Sequence, residues 1–157
     1  KRRCAERRMS TPSFRHIGIT VSDLERSMRF YCRALGYRLV RERRGQSGDY
    51  ISELVGLEDA EVDIVLLEAP DGSKLELLQY RSHASAPGAD ASASEPGRPH
   101  FALTVSGLGG IYDRRSKLDI TFKSAPLESP DDPVLVAYCH DPDGVIIELV
   151  ELLGVQR

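Results

Sequence analysis

Apolar and polar residues alternate along this chain in short bursts, and the bursts come in a fixed order. RHIGITV (15–21) is short and rich in β-branched residues, which predicts a strand. Ser22 and Glu25 follow at the spacing of a helix capping box. Leu24, Met28, Tyr31 and Leu35 then recur at helical spacing, and Gly36 is placed to end the helix. YRLVRER (37–43) predicts a second strand, and GQSGDY reads as a break after it. EVDIVLLEA (61–69) and KLELLQY (74–80) predict two more strands, joined as a hairpin around Pro70, Asp71 and Gly72. The first half therefore reads β-α-β-β-β.

Ala, Ser, Gly and Pro crowd residues 81–98 without periodicity, which predicts a linker. The pattern then begins again. HFALTVSGL (100–108) matches HIGITVSDL (16–24) at His, Thr, Val, Ser and Leu. A weaker helix is expected at about 108–117, followed by strands in ITFKSAP and PVLVAYCHD. PDGVIIEL (142–149) matches PDGSKLEL (70–77) at Pro, Asp, Gly, Glu and Leu. Two matched pairs in the same order identify a tandem duplication. The expected organisation is an α+β protein with a basic extension at 1–12, a first βαβββ module at 13–80, the linker at 81–98 and a second module at 99–153.

The repeat carries one histidine and one glutamate into apolar strands in each half: His16 and Glu76, then His100 and Glu148. Glu148 is the hardest to explain as a wet surface residue, because Ile146 and Val150 share its strand face. An unpaired charge there would cost several kcal/mol to bury. If the halves pair about a pseudo-twofold axis, two imidazoles and two carboxylates converge, a ligand set suited to a divalent metal of intermediate softness.

Composition narrows the partners. The chain has 157 residues and a formal net charge of −3, so no global basic field points to nucleic acid. No apolar run approaches a membrane span. KRRCAERRM is locally basic and reads as a disordered extension or as a tether to an anionic surface. The three cysteines, Cys4, Cys32 and Cys139, have neither metal-finger nor CxxC spacing, which fits a reducing, cytoplasmic compartment. Cys139 reads as a small core residue, with a nucleophile as the alternative. His140 is either structural or a pocket residue, and His83 is expected to be solvated. Arg15, Arg38 and Arg98 are surface charges or partners for an anionic substrate.

HIGITVSDLERSMRFYCRALGY, PDGSKLELLQY and DPDGVIIELVE together resemble the vicinal oxygen chelate superfamily, across about residues 14–152. That superfamily contains glyoxalase I, methylmalonyl-CoA epimerase, extradiol dioxygenases, fosfomycin-resistance enzymes and bleomycin-binding proteins. The resemblance implies paired βαβββ modules forming an open, cupped mixed sheet around a metal. It implies His16, Glu76, His100 and Glu148 as ligands of one Zn, Ni, Co or Mn ion. It also implies proton transfer beside the carbonyl of a small carbonyl or thioester substrate through a metal-stabilised enediolate, as a lyase or an isomerase. Glu148 and Glu76 are the implied proton shuttles, with Asp63 a further candidate near the place where the epimerase keeps a second glutamate. A homodimer is expected, sometimes with modules exchanged between chains. The alternatives are a metal-free drug- or metabolite-binding protein and an Fe(II) extradiol dioxygenase.

Overall fold

The computed structural model describes residues 12–84 and 92–154. The basic extension expected at 1–12 and the middle of the expected linker lie mostly outside these residues. The first sheet holds β1 (Ile17–Thr20), β2 (Arg38–Gln46), β3 (Val62–Glu68) and β4 (Lys74–Tyr80), with α1 (Leu24–Ala34) between β1 and β2 and α2 (Asp49–Val55) between β2 and β3. Its spatial order is β1-β4-β3-β2. The second sheet holds β5 (Phe101–Thr104), β6 (Thr121–Phe122), β7 (Leu127–Glu128), β8 (Val134–His140) and β9 (Ile146–Leu152). Its order is β5-β9-β8-β6, with β7 also on β8. In each half the opening strand runs parallel to the closing one, and the closing hairpin is antiparallel. Both sheets are open, and the fold is α+β.

Alternation along the strands builds the core. Val65 and Leu67 of β3 pair with Leu77 and Leu75 of β4, and all four are buried. Leu24, Phe30 and Tyr31 of α1 belong to the same apolar cluster, as do Cys139, Ile147 and Leu149 of the second sheet. One continuous core therefore joins the two halves. Polar contacts reinforce the junction: the Ser22 amide and hydroxyl donate to the Asp143 carboxylate at 3.0 and 2.5 Å.

Several local expectations shift. The cap of α1 is Asp23, whose carboxylate accepts from the Arg26 amide at 3.0 Å. Ser22 is committed to Asp143 instead, so the cap moves by one residue and the expected Ser22–Glu25 box is replaced by a single Asp23 cap. GQSGDY is not a plain break: β2 runs on to Gln46 and α2 starts at Asp49. The weak second-half helix divides into α3 (Leu108–Asp113) and α4 (Arg115–Leu118). Two glycines in α3, Gly109 and Gly110, make a continuous helix costly.

The duplication extends to loop closure. Gln79 of β4 accepts from the Leu24 amide at 3.1 Å and donates to the Ser22 carbonyl at 2.9 Å. At the corresponding place in β9, Glu151 accepts from the Gly107 and Leu108 amides at 2.6 and 2.8 Å. Each closing strand thus fastens the turn that follows its opening strand, and this fixes the register of the residues upstream.

Candidate functional site

The register sets each histidine beside its glutamate. β1 pairs Gly18 with Glu76, so His16, two residues earlier, lies on the same face as Glu76. Its Nε2 stands 3.5 Å from Glu76 Oε2. β5 pairs Ala102 with Glu148, and His100 Nε2 stands 3.2 Å from Glu148 Oε2. Both carboxylates are mostly sequestered, with side chains 20% and 23% exposed. They face away from the core: Leu75 and Leu77 flank Glu76, Ile147 and Leu149 flank Glu148, and all four turn into the apolar cluster. The charge embedded in DPDGVIIELVE is thus explained by strand alternation and by an imidazole partner.

The two pairs remain separate within a chain. Among the described residues, no three His, Cys, Asp or Glu side chains form a group able to hold a metal ion. Each pair nevertheless has the separation that coordination requires. Two donors about 2.0–2.2 Å from one ion stand about 2.8 to 3.6 Å apart between the right angle and the tetrahedral angle. The observed 3.5 and 3.2 Å lie within that window. Each pair therefore presents one imidazole nitrogen and one carboxylate oxygen at a separation compatible with a shared divalent ion.

Asp63 does not join either pair. β3 and β4 pair Leu66 with Glu76 and Asp63 with Gln79, which puts Asp63 on the opposite face from Glu76. It is 3% exposed and enclosed by cations. Arg81 donates to Oδ2 from Nε and Nη2 at 2.9 and 2.5 Å, Arg44 donates at 3.3 Å, and the Gly45 amide donates to Oδ1 at 2.7 Å. Burial pushes this carboxyl up, but the amide and the two guanidinium groups outweigh it and hold Asp63 below the usual carboxylate range. A carboxylate so engaged is a poor proton shuttle, and its role in this fold is to anchor Arg44 and Arg81.

The other singled-out residues separate cleanly. Cys139 is fully buried, and burial, aided by Asp141, pushes its thiol up to about 12, which suits a core residue and not a nucleophile. His140 is buried on the strand before the Asp141 turn. Arg38 pairs with Glu68, and Arg98 pairs with Glu95 at 3.2 Å.

The sequence reading passed over Tyr138. It stands directly opposite Glu148 in the β8–β9 ladder. Its hydroxyl is 3.3 Å from His100 Nε2, and the two ring centroids are 5.1 Å apart. Burial and the neighbouring Glu148 raise its phenol above the ordinary value, so it is a protonated donor at neutral pH. Aligning the two halves would have flagged it, because Leu66 holds the matching place opposite Glu76.

Two cavities border the second pair, one at Glu148 and one at His100. A cleft of about 560 Å³ is lined by Glu148 with Val134, Val136, Val150 and Leu152. A larger cavity of about 730 Å³ runs along β1 and includes His83, Arg98 and His100, but not His16, Glu76 or Glu148.

Sequence comparison agrees with this architecture. The family model of the Glyoxalase/Bleomycin resistance protein/Dioxygenase superfamily matches residues 13–149, and the chain belongs to that superfamily. It is 27% identical over 136 residues to a probable lactoylglutathione lyase of Synechocystis sp., covering 87% of this chain and 92% of that protein. It is 27% identical over 138 residues to the lactoylglutathione lyase of Haemophilus influenzae, covering 87% and 90%. Among solved structures, a glyoxalase family protein from Bacillus cereus superposes with a TM-score of 0.84 at 20% identity, covering 96% of this chain and all of that one. The trypanothione-dependent glyoxalase I of Leishmania major superposes with a TM-score of 0.60 at 24% identity, covering 88% and 87%.

Proposed function

We propose that this chain is a divalent-metal-dependent lyase of the lactoylglutathione lyase type, acting on a small carbonyl adduct such as a hemithioacetal of glutathione. The observation that carries the reading is the duplicated His–Glu pair. One pair alone is no more than a surface ion contact. Two, at matching register in two sheets and at ligand-to-ligand separation, support a shared metal. Relatives carrying the lyase name over nine-tenths of their length support the reaction class.

In this reading His16, Glu76, His100 and Glu148 hold the ion. When bound, it supplies Lewis acidity to the substrate oxygens. Glu148 is the proposed proton carrier: it borders a cleft whose lining includes Val134, Val136 and Val150. Glu76 is the second candidate. Because the pairs of one chain stay apart, a homodimer sharing its sites completes the set, each chain supplying one pair to each site.

The test is elemental analysis of purified protein, light scattering for mass, and assays with the methylglyoxal–glutathione hemithioacetal, methylmalonyl-CoA and catechols. The expected result is about one metal per chain, a dimer, and hemithioacetal turnover that falls steeply in Glu148→Gln. Turnover of the thioester alone would move the protein to the isomerases, and oxygen uptake with a catechol to the dioxygenases. Absence of stoichiometric metal, with activity unchanged by Glu148→Gln, would falsify the proposal.

A further inference from the structure

The two half-sites are not equivalent. Opposite Glu76, β3 presents Leu66; opposite Glu148, β8 presents Tyr138. His16 has Glu76 as its polar neighbour, whereas His100 Nε2 is approached by both Glu148 and the Tyr138 hydroxyl. A hydroxyl at 3.3 Å from that nitrogen has two fates. With the imidazole unligated, Nε2 either donates its proton to Glu148 or accepts from the Tyr138 hydroxyl, according to the tautomer. Once the Nε2 lone pair is given to a cation, the hydroxyl loses that acceptor and becomes a free donor beside Glu148. The ring is fixed by its place in the middle of β8 and by its tilted contact with His100, so the donor stays in the site.

Resting on the metal-dependent reading above, we propose that Tyr138 is a substrate-contacting residue whose hydroxyl donates a hydrogen bond to the substrate oxygen that gains negative charge, and that it thereby orients the substrate. The oxygen-bearing end lies toward the second half-site. A fixed donor aimed at developing charge acts most strongly in the transition state and needs no rearrangement as the charge forms. In the first half-site Leu66 has no such donor to offer, so a duplicated, nearly symmetric ligand set gains a direction from one substitution between the repeats.

The experiment compares wild type, Tyr138→Phe and Tyr138→Leu after loading with Ni(II) or Co(II). Metal content, hemithioacetal kinetics and calorimetric binding of benzohydroxamate, a chelating probe with an anionic oxygen, are measured. Tyr138→Phe is expected to keep its metal and its thermal midpoint, to lose about 10- to 100-fold in kcat with little change in KM, and to bind the hydroxamate about tenfold more weakly. Tyr138→Leu should fall to the same level. Full activity and full hydroxamate affinity in the phenylalanine variant overturn the proposal. So does loss confined to the leucine variant, because ring packing on His100 then suffices. If wild type itself takes up no metal, the parent reading fails. If Glu148→Gln is impaired while Tyr138→Phe is not, only the role of Tyr138 fails.

Discussion

The Tyr31 hydroxyl donates to Asp141 Oδ2 at 2.9 Å, a buried bond that ties the helix of the first module to the closing turn of the second. Asp141 Oδ1 meanwhile accepts from the Asp143 and Val145 amides at 2.9 and 2.8 Å and shapes the DPDG turn. Burial raises the Asp141 carboxyl, while those amides and the Tyr31 hydroxyl pull the other way. Removing the hydroxyl leaves the carboxylate less compensated. Tyr31→Phe is expected to destabilise the fold by about 1.5–3 kcal/mol at neutral pH, and to raise the Asp141 pKa further. Urea unfolding and carboxyl NMR check the two effects. An unchanged midpoint would show that the apolar cluster and the Ser22–Asp143 contacts hold the junction without this bond.

Asp63 supports the first sheet with the opposite pH signature. Asp63→Asn deprives Arg44 and Arg81 of their shared carboxylate. Arg81 is 48% exposed, so water recovers part of the loss, and about 2 kcal/mol at neutral pH is expected. The folded pKa of Asp63 lies below its unfolded value, so folding favours the ionised form. That stabilisation is complete above the unfolded pKa of about 3.9 and disappears as pH falls through the lower folded value. The gap between wild type and variant should hold from about pH 7 to 5 and close below about pH 4. A gap that shows no narrowing as the pH falls below the unfolded pKa, down to the acid unfolding of the protein, would mean that the asparagine acts by misfitting and not by loss of charge.

How much of this was legible without coordinates depends on which interactions are local. The repeat exposed His16, Glu76, His100 and Glu148, because strand register within a module follows from alternation and from the closing turns. Asp63 went astray because its partners come from β2 and from just beyond β4, and no spacing rule links Asp63 to Arg44 and Arg81. The capping residue slipped from Ser22 to Asp23 because Ser22 is claimed by Asp143, more than a hundred residues away. The separation of the pairs was hidden for the same reason: patterning fixes each sheet but not how one sheet docks against the other. Tyr138 was missed because a tyrosine in VLVAYCH reads as an ordinary core aromatic until the register sets it against Glu148.

Cysteine reactivity offers a check on the core that is independent of any activity. Cys139 is fully sequestered and its thiol titrates far above neutral, whereas Cys32 is only partly buried, with its pKa raised by burial. Attack on a disulfide reagent requires both thiolate and access. At pH 8 in native protein, Cys139 should resist an aromatic disulfide reagent for hours, with Cys32 modified before it. Mass spectrometry of the digested adduct assigns the sites. Rapid native labelling of Cys139 would reopen the nucleophile reading and would mean that β8 is loosely packed.

Metal removal provides the broadest test, because the ion is expected to serve stability as well as chemistry. A ligand that binds only the folded state stabilises it by RT ln(1 + [L]/Kd), about 2.7 kcal/mol at a hundredfold excess over Kd. If the half-sites are joined across two chains, that stabilisation belongs to the dimer. Chelation should then lower the thermal midpoint and shift the mass distribution toward the monomer, and both should recover on adding Ni(II) or Zn(II). His16→Ala and His100→Ala should each remove the response, because either change leaves three ligands. A mixture of the two single variants is the decisive arrangement. In a site shared between chains, a heterodimer of His16→Ala with His100→Ala contains one site lacking both histidines and one site with all four ligands. Mixing two inactive variants should therefore restore up to about half the activity per heterodimer. If both pairs of a site came from one chain, each site would lack one histidine and mixing would restore nothing.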